Sequence, residues 1–103
     1  MKSFDKNLID LNGKNILITG GTGSFGKAFT HFVLERYKPT KIIIFSRDEM
    51  KQYEMAQDFS EKEHPCIRYF IGDVRDADRL EMAMRGVDYV IHAAALKQID
   101  TCE

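Results

Sequence analysis

A glycine-rich turn between a short apolar run and a helix-forming segment constrains this chain more than any other feature. The apolar residues 16–18 end in glycines, and apolar side chains at helical spacing follow from Lys27. We interpret Gly20 as a sharp turn off a strand, Gly23 as an unobstructed approach to the backbone, and Gly26 as close contact between helix and sheet. The pattern predicts a strand–turn–helix corner whose helical N–H groups bind a dinucleotide pyrophosphate.

A second phosphate-binding motif fits part of the same segment. Gly21, Gly26 and Lys27 match the beginning of the P-loop of nucleotide triphosphatases. That motif continues with Ser or Thr, whose hydroxyl binds Mg²⁺, whereas this chain has Ala28. We therefore favour the dinucleotide corner over the P-loop.

The apolar pattern predicts strands and helices in the order β-α-β-α-β-α-β. Short connections and apolar strands indicate an α/β fold, a Rossmann-like doubly wound parallel sheet, with this chain forming an N-terminal four-stranded portion in the order 3-2-1-4. We expect residues 1–13 to form an N-terminal arm, 14–97 an NAD(P)-binding domain and 98–103 a tail. Strands are predicted at 16–18, 41–45, 66–71 and 87–94, and helices at 24–37, 49–60 and from Asp76 to Gly86.

The same spacing predicts one buried face for each helix, and Asp48 and Asp76 are predicted to cap the second and third helices. The predicted buried residues are Phe25, Phe29, Phe32 and Val33 in the first helix, Met50, Tyr53, Met55 and Phe59 in the second, and Leu80, Ala83 and Met84 in the third.

The composition of the chain argues against nucleic acid, membranes and metal ions as partners. The chain has 103 residues, so we expect a single domain, and its 15 basic and 16 acidic residues give no basic surface for nucleic acid. The N-terminal segment is more polar than we expect of a signal peptide, and no apolar run approaches a membrane span. Cys66 and Cys102 form no Cys-x-x-Cys pair, and the three histidines are scattered. We expect a cytoplasmic protein without a metal, a membrane partner or a nucleic-acid partner.

The residues after the second strand bear on the choice of cofactor. An Asp or Glu about 20 residues beyond the glycine turn would bind both ribose hydroxyls and select NAD. This chain has Ser46 followed by Arg47, and a guanidinium there suits the 2′-phosphate of NADP, with the serine adding a hydrogen bond. The alternative is a solvated Arg47 that pairs with Asp48 or Glu49. We favour NADP over NAD.

Residues after the third and fourth strands have cofactor interpretations too. Asp73 would accept a hydrogen bond from the adenine amino group while Val74 packs on the ring, or Asp73 merely caps a turn. The small residues Ala93, Ala94 and Ala95 leave room for a ribose or nicotinamide, or allow close helix packing. Lys97 either approaches the cofactor phosphates or is solvated. We expect His92 to pack within the sheet.

One pair matches the spacing of a reductase active site. Tyr37 and Lys41 have the Tyr-x-x-x-Lys spacing. In such an active site both side chains must lie on the same face of one helix, so that the lysine ammonium lowers the pKa of the tyrosine phenol. Pro39 lies between them and Lys41 opens a predicted strand. We therefore assign this pair no catalytic role.

Four segments in order carry a family resemblance. They are residues 19–26 (TGGTGSFG), 46–49 (SRDE), 72–76 (GDVRD) and 92–97 (HAAALK). Together they resemble the extended short-chain dehydrogenase/reductases, and within that group the inverting UDP-N-acetylglucosamine 4,6-dehydratases of bacterial surface-polysaccharide and pseudaminic acid synthesis. The resemblance extends from residue 14 to residue 97.

The resemblance implies NADP as cofactor and a nucleotide sugar as substrate. The family oxidises the sugar at C4 by hydride transfer to NADP⁺, loses water across C5 and C6, and returns the hydride to C6. By resemblance, Ser46 and Arg47 would hold the ribose phosphate, and Asp73 and Val74 would meet the adenine. The pyrophosphate would be wrapped by Gly20, Thr22, Gly23, Ser24, Phe25 and Gly26, and the ribose side would be lined by Ala93, Ala94, Ala95 and Lys97.

The chain also departs from the family. Family members are much longer, with a catalytic Asp-Lys pair and Tyr-x-x-x-Lys tyrosine beyond the fourth strand, and Gln98 replaces the usual His after Ala-Leu-Lys. We expect an NADP-binding portion without catalytic residues, whose bare fourth-strand edge favours self-association or a homo-oligomer. The alternatives are a stand-alone dinucleotide-binding module and part of another nucleotide-sugar epimerase or reductase.

Overall fold

Four strands alternate with three helices in the computed structural model, which describes residues 10–93. The strands are β1 (Asn15–Thr19), β2 (Lys41–Ser46), β3 (Ile67–Ile71) and β4 (Tyr89–His92). The helices are α1 (Ser24–Arg36), α2 (Glu49–Asp58) and α3 (Ala77–Met84). The predicted order of elements is confirmed, although β4 is shorter than the predicted strand at 87–94.

All four strands are parallel and lie in the order β3-β2-β1-β4, which confirms the predicted order. Thr19 at the end of β1 pairs with Phe45 of β2 and with His92 of β4. Ser46 at the end of β2 pairs with Ile71 at the end of β3. The carboxyl ends of the strands therefore meet at one edge of the sheet, where ligands bind in open α/β sheets.

The central strands are buried on both faces because helices cover both sides of the sheet. Successive side chains of a strand point to opposite faces, so the apolar runs of β1 and β2 feed two cores. One core joins Ile16, Ile18, Ile42 and Ile44 to Val33 of α1 and Met55 of α2, and the other joins Leu17, Ile43 and Phe45 to Ala83 of α3. The helix-on-both-faces arrangement is that of a doubly wound sheet.

The predicted buried face of α1 is partly wrong. Phe25 and Phe32 are exposed, at 45% and 41%, and the buried residues of the helix are Gly26, Thr30 and Val33. Close contact between Gly26 and the loop fixes the rotation of the helix about its axis. That rotation turns the two phenylalanines toward solvent.

The predicted faces of α2 and α3 are also partly wrong. Met50, Tyr53 and Met84 are exposed, whereas Met55 and Ala83 are buried as predicted. In α2 the polar Gln52 takes the sheet-facing position one turn before Met55. The predicted caps are confirmed, since the side chains of Asp48 and Asp76 accept hydrogen bonds from the N–H groups of Lys51 and Arg79.

Within residues 10–93, no helix is both long enough and apolar enough to span a membrane.

Candidate functional site

The glycine-rich segment forms the predicted corner at the carboxyl end of β1. Gly20 has φ of +65°, a left-handed conformation that glycine adopts without steric cost. Its N–H donates to the carbonyl oxygen of Phe45 at 2.8 Å, and its own carbonyl accepts from Gly23 at 3.2 Å. Helix α1 begins directly after Gly23. The chain thus turns off the central strand and enters the helix within four residues, 20–23.

Gly26 and Gly23 meet different surroundings. A Cβ atom on Gly26 would lie 2.2 Å from the carbonyl oxygen of Gly21, so the first turn of α1 rests directly on loop backbone. A Cβ atom on Gly23 would meet only the carbonyl oxygen of Gly20, at the ordinary contact distance of 3.6 Å. The missing side chain at Gly23 therefore leaves open space at the helix start, as the sequence interpretation requires.

The N-terminus of α1 is electropositive and lacks a side-chain cap. Its N-cap is Gly23, which makes no side-chain hydrogen bond, and its first turn contains no acidic residue. By contrast, aspartates cap α2 and α3. The N–H groups of the first helical turn have no acceptor inside a helix, and the helix dipole adds partial positive charge there. This end of α1 suits an anion.

A cleft of about 850 Å³ opens at this edge of the sheet. It brings together eleven of the predicted site residues, and the other three, Ala94, Ala95 and Lys97, lie outside the described residues. The predicted residues that line it are Gly20, Thr22, Gly23, Ser24, Phe25, Gly26, Ser46, Arg47, Asp73, Val74 and Ala93. It is also lined by Phe45, Asp48, Lys51, Gly72 and Arg75, which the sequence analysis did not assign to the site.

Strand register places Arg47 beside Asp73. The N–H of Gly72 donates to the carbonyl oxygen of Ser46 at 2.9 Å, so β2 and β3 end together and the next residues of each strand are neighbours. Arg47 Nη1 lies 3.7 Å from Asp73 Oδ2. The ion pair of Arg47 is thus with Asp73 rather than with Asp48 or Glu49, the partners considered from the sequence.

The Asp73 carboxylate is held most closely by Arg75. Its Oδ1 accepts from the Arg75 backbone N–H at 2.9 Å, and its Oδ2 accepts from Arg75 Nη2 at 2.8 Å. Arg75 Nε lies 3.2 Å from both oxygens. These hydrogen bonds, with a smaller contribution from the charge of Arg47, hold the Asp73 pKa well below its ordinary value. Asp73 therefore carries a full negative charge and stabilises the turn after β3.

Gln52 joins the ends of β2 and β3 from beneath the cleft. Its side chain is 5% exposed, and its amide nitrogen donates to Ser46 Oγ and to the carbonyl oxygen of Phe70, both at 3.1 Å. A buried amide with two acceptors fixes the position of the Ser46 hydroxyl. The sequence signal was its spacing of three residues before the buried Met55, which places both on the sheet-facing side of α2.

Two further predictions concern residues near the same sheet. His92 lies in β4 and pairs with Thr19 of β1, as its predicted place in the sheet requires, although the residue is exposed. Its Nδ1 lies 3.0 Å from the buried hydroxyl of Thr19. Tyr37 follows α1 and Lys41 opens β2, which confirms that this pair does not share a helical face.

Comparisons with known proteins agree with this architecture. The family described as "Polysaccharide biosynthesis protein" matches residues 16–103. The chain is 65% identical over 92 residues to a UDP-N-acetylglucosamine 4,6-dehydratase (inverting) of Campylobacter jejuni, covering 89% of this chain and 27% of that protein. It is 52% identical over 97 residues to a UDP-glucose 4-epimerase of Rickettsia akari, covering 87% and 26%. The chain therefore spans about a quarter of the length of the curated relatives it matches.

Two solved structures have a similar fold. The X-ray structure of Pen from Bacillus thuringiensis superposes with a TM-score of 0.74 at 42% identity, covering 84% of this chain and 26% of that one. The dTDP-glucose 4,6-dehydratase of Bacillus anthracis, solved in complex with NAD, superposes with a TM-score of 0.62 at 28% identity, covering 78% and 26%.

Proposed function

The chain belongs to the polysaccharide biosynthesis protein family, and from this premise we propose that it is the NADP-binding part of a nucleotide-sugar 4,6-dehydratase acting on a UDP-N-acetylglucosamine-like substrate. The observation that carries the proposal is the uncapped N-terminus of α1, which faces a cleft at the carboxyl edge of a parallel sheet. We propose that residues 14–97 form the binding domain and that it works in the cytoplasm.

The glycine corner fits a pyrophosphate. Gly23 leaves open space where a side chain would stand, and the first-turn N–H groups of α1, with no acidic side chain beside them, supply donors and positive charge. We assign the pyrophosphate to Gly20, Thr22, Gly23, Ser24, Phe25 and Gly26, all of which line the cleft.

Three groups at the end of β2 and in the first turn of α2 favour NADP over NAD. Arg47 and Lys51 place two cations on the cleft, and Ser46, oriented by Gln52, presents a hydroxyl. The carboxylate nearest in sequence, Asp48, caps α2, with its Oδ1 accepting a hydrogen bond from the Lys51 N–H at 3.0 Å. A guanidinium and an ammonium match a 2′-phosphate.

The rest of the cleft fits the remaining parts of the cofactor. Asp73 and Val74 are assigned to the adenine, and the buried Ala93, with Ala94, Ala95 and Lys97 after it, to the ribose and nicotinamide side. Bound NADP⁺ supplies a hydride acceptor. The only Tyr-x-x-x-Lys spacing in the sequence is the pair at 37 and 41, which lies on separate elements. We therefore assign these residues cofactor binding and orientation, and no proton transfer.

A second candidate function is supported by the Rickettsia relatives, whose name is UDP-glucose 4-epimerase. Epimerisation and 4,6-dehydration both start with hydride removal from C4, so the same binding domain serves either. Product analysis with the whole protein distinguishes them. A 4-keto-6-deoxy sugar supports the dehydratase, and an inverted C4 hydroxyl without loss of water supports the epimerase.

Calorimetry with the 103-residue chain tests the cofactor assignment. We expect NADP⁺ to bind more tightly than NAD⁺, and Arg47→Ala to weaken NADP⁺ binding by about tenfold or more, because charged hydrogen bonds contribute about 1.5–3 kcal/mol. NAD⁺ affinity should change little. The matched control is Arg85→Ala at the end of α3. Equal affinity for the two cofactors in the unaltered chain contradicts the choice of NADP.

A further inference from the structure

Two guanidinium groups face the same carboxylate oxygen beside the cleft. Arg75 Nη2 lies 2.8 Å from Asp73 Oδ2, and Arg47 Nη1 lies 3.7 Å from that same oxygen. The shorter contact is a hydrogen bond, and the longer one is an ion pair beyond hydrogen-bonding distance. Asp73 is thus occupied by Arg75, and Arg47 is held only loosely.

The local geometry explains why Arg75 prevails. It is two residues from Asp73 in the turn after β3, so its backbone N–H and its side chain bind one carboxylate together. Arg47 reaches the carboxylate from the end of another strand, and no hydrogen bond of its own backbone to Asp73 holds it there; the two side chains are similarly exposed, at 70% for Arg47 and 77% for Arg75. Little ordering is required for Arg75, whereas Arg47 would lose side-chain freedom by approaching more closely.

We infer that Arg75 is a specificity-determining residue that sets the preference for NADP by occupying Asp73 and leaving the Arg47 guanidinium available for the 2′-phosphate. The inference rests on the proposed NADP binding and gives a role to a residue to which the sequence analysis assigned none. Arg75 is a positioning residue, because it acts on the phosphate through Asp73 and Arg47.

The charges around Asp73 predict that losing Arg75 weakens NADP binding more than NAD binding. Without Arg75, the nearest cation to the Asp73 carboxylate among the described residues is Arg47. Arg47 would then close onto Asp73, and an unneutralised carboxylate would also face an incoming phosphate. Both effects weaken NADP more than NAD, since only NADP has the 2′-phosphate. Any effect on adenine binding is shared by both cofactors and cancels in their ratio.

The test measures the dissociation constants of NADP⁺ and NAD⁺ for four chains by calorimetry. We expect Arg75→Gln to lower the preference for NADP about fivefold, the upper range for a mostly exposed ion pair. The double variant Asp73→Asn with Arg75→Gln has the same local net charge as the unaltered chain and gives Arg47 no carboxylate to pair with. It should restore the preference to within about twofold. Arg85→Gln, the same charge change at the far end of α3, should leave the preference unaltered.

A cofactor-free measurement accompanies the titrations. In a crystal structure of Arg75→Gln without ligand, Arg47 should lie at hydrogen-bond distance, about 2.7–2.9 Å, from the Asp73 carboxylate. An NADP preference that survives Arg75→Gln overturns the inference. So does a double variant as impaired as Arg75→Gln, because Arg75 would then contact the phosphate itself. An unaltered chain without any NADP preference contradicts instead the proposed cofactor.

Discussion

Two glycines of the corner have separable roles, and exchanging each for a residue with a side chain tests this. Gly26 lies inside α1, where alanine is favoured over glycine by about 1 kcal/mol. A Cβ atom there would lie 2.2 Å from the carbonyl oxygen and 2.4 Å from the carbonyl carbon of Gly21. Both are backbone atoms, which cannot rotate away as a side chain would. Helix propensity and steric contact therefore predict opposite effects of Gly26→Ala on the free energy of unfolding.

The steric effect should prevail. Restoring ordinary contact requires the first turn of α1 and the loop to separate by about 1 Å. Overpacking of a buried contact costs about 1–3 kcal/mol, and the upper figure applies because backbone must move. After subtracting the helix propensity, we expect Gly26→Ala to lower the free energy of unfolding by about 2 kcal/mol and the melting temperature by about 10 °C. NADP⁺ binding should fall as well, because the corner opens.

Gly23→Ser is the matched control with the opposite expectation. Its side chain has space, since only the Gly20 carbonyl oxygen lies near, and serine is a favoured N-cap residue. We expect unfolding stability to be equal or higher by a few tenths of a kcal/mol. Cofactor binding should still fall, because the hydroxyl occupies both the open space and an N–H of the first turn.

Urea unfolding and calorimetry on the two variants decide the matter. The expected result is a loss of stability and affinity in Gly26→Ala, and a loss of affinity alone in Gly23→Ser. A Gly26→Ala chain as stable as the unaltered one would refute the contact argument. Undiminished NADP⁺ binding by Gly23→Ser would refute the phosphate position.

Three other predictions concern the rest of the fold. Gln52→Met removes a buried donor from two acceptors at the strand ends, and should cost about 1–3 kcal/mol in urea unfolding, whereas the exposed Gln57→Met on the same helix should cost little. Burial, and then the negative charges of Glu61 and Asp58, raise the pKa of Tyr69 to about 12. An unfolded tyrosine has a pKa of about 10, so the free energy of unfolding should fall as pH rises from about 10 to about 12, and Tyr69→Phe should reduce that fall. Within residues 10–93 the outer edge of β4 has no strand partner, so the chain should associate with increasing concentration in sedimentation velocity, and a monomer throughout would contradict this.

The sequence predicted the fold because its signals are local and repeated. Apolar runs mark the strands and apolar spacing marks the helices, and Asp48 and Asp76 cap α2 and α3 as predicted. The parallel order follows from the alternation of strands and helices. Eleven predicted site residues line one cleft because glycines and strand ends are themselves local features.

The errors arose where one helix touches another part of the chain. Apolar spacing placed Phe25 and Phe32 inside, but the contact of Gly26 with Gly21 turns them outward. Spacing gives the period of a helix and leaves its rotation undetermined when apolar residues occur on two faces. Gln52 was overlooked because a search for apolar residues does not find a buried polar one. Its side-chain amide is buried because it donates hydrogen bonds at the ends of two strands.

Strand register, which no single segment encodes, determines the electrostatics of the cleft. Arg47 and Asp73 are separated by a helix and a strand in the sequence, and they meet because Ser46 pairs with Ile71. Arg75 pairs with Asp73 within a single turn, because the two residues are only two positions apart. That pairing affects Arg47 only because β2 and β3 lie side by side and bring Arg47 next to Asp73. A one-residue slip between β2 and β3 would separate Arg47 from Asp73 and move side chains to the opposite face. Hydrogen bonds from Gln52 to Ser46 and to the Phe70 carbonyl oppose such a slip, so a buried amide beneath the sheet helps to fix the charges above it.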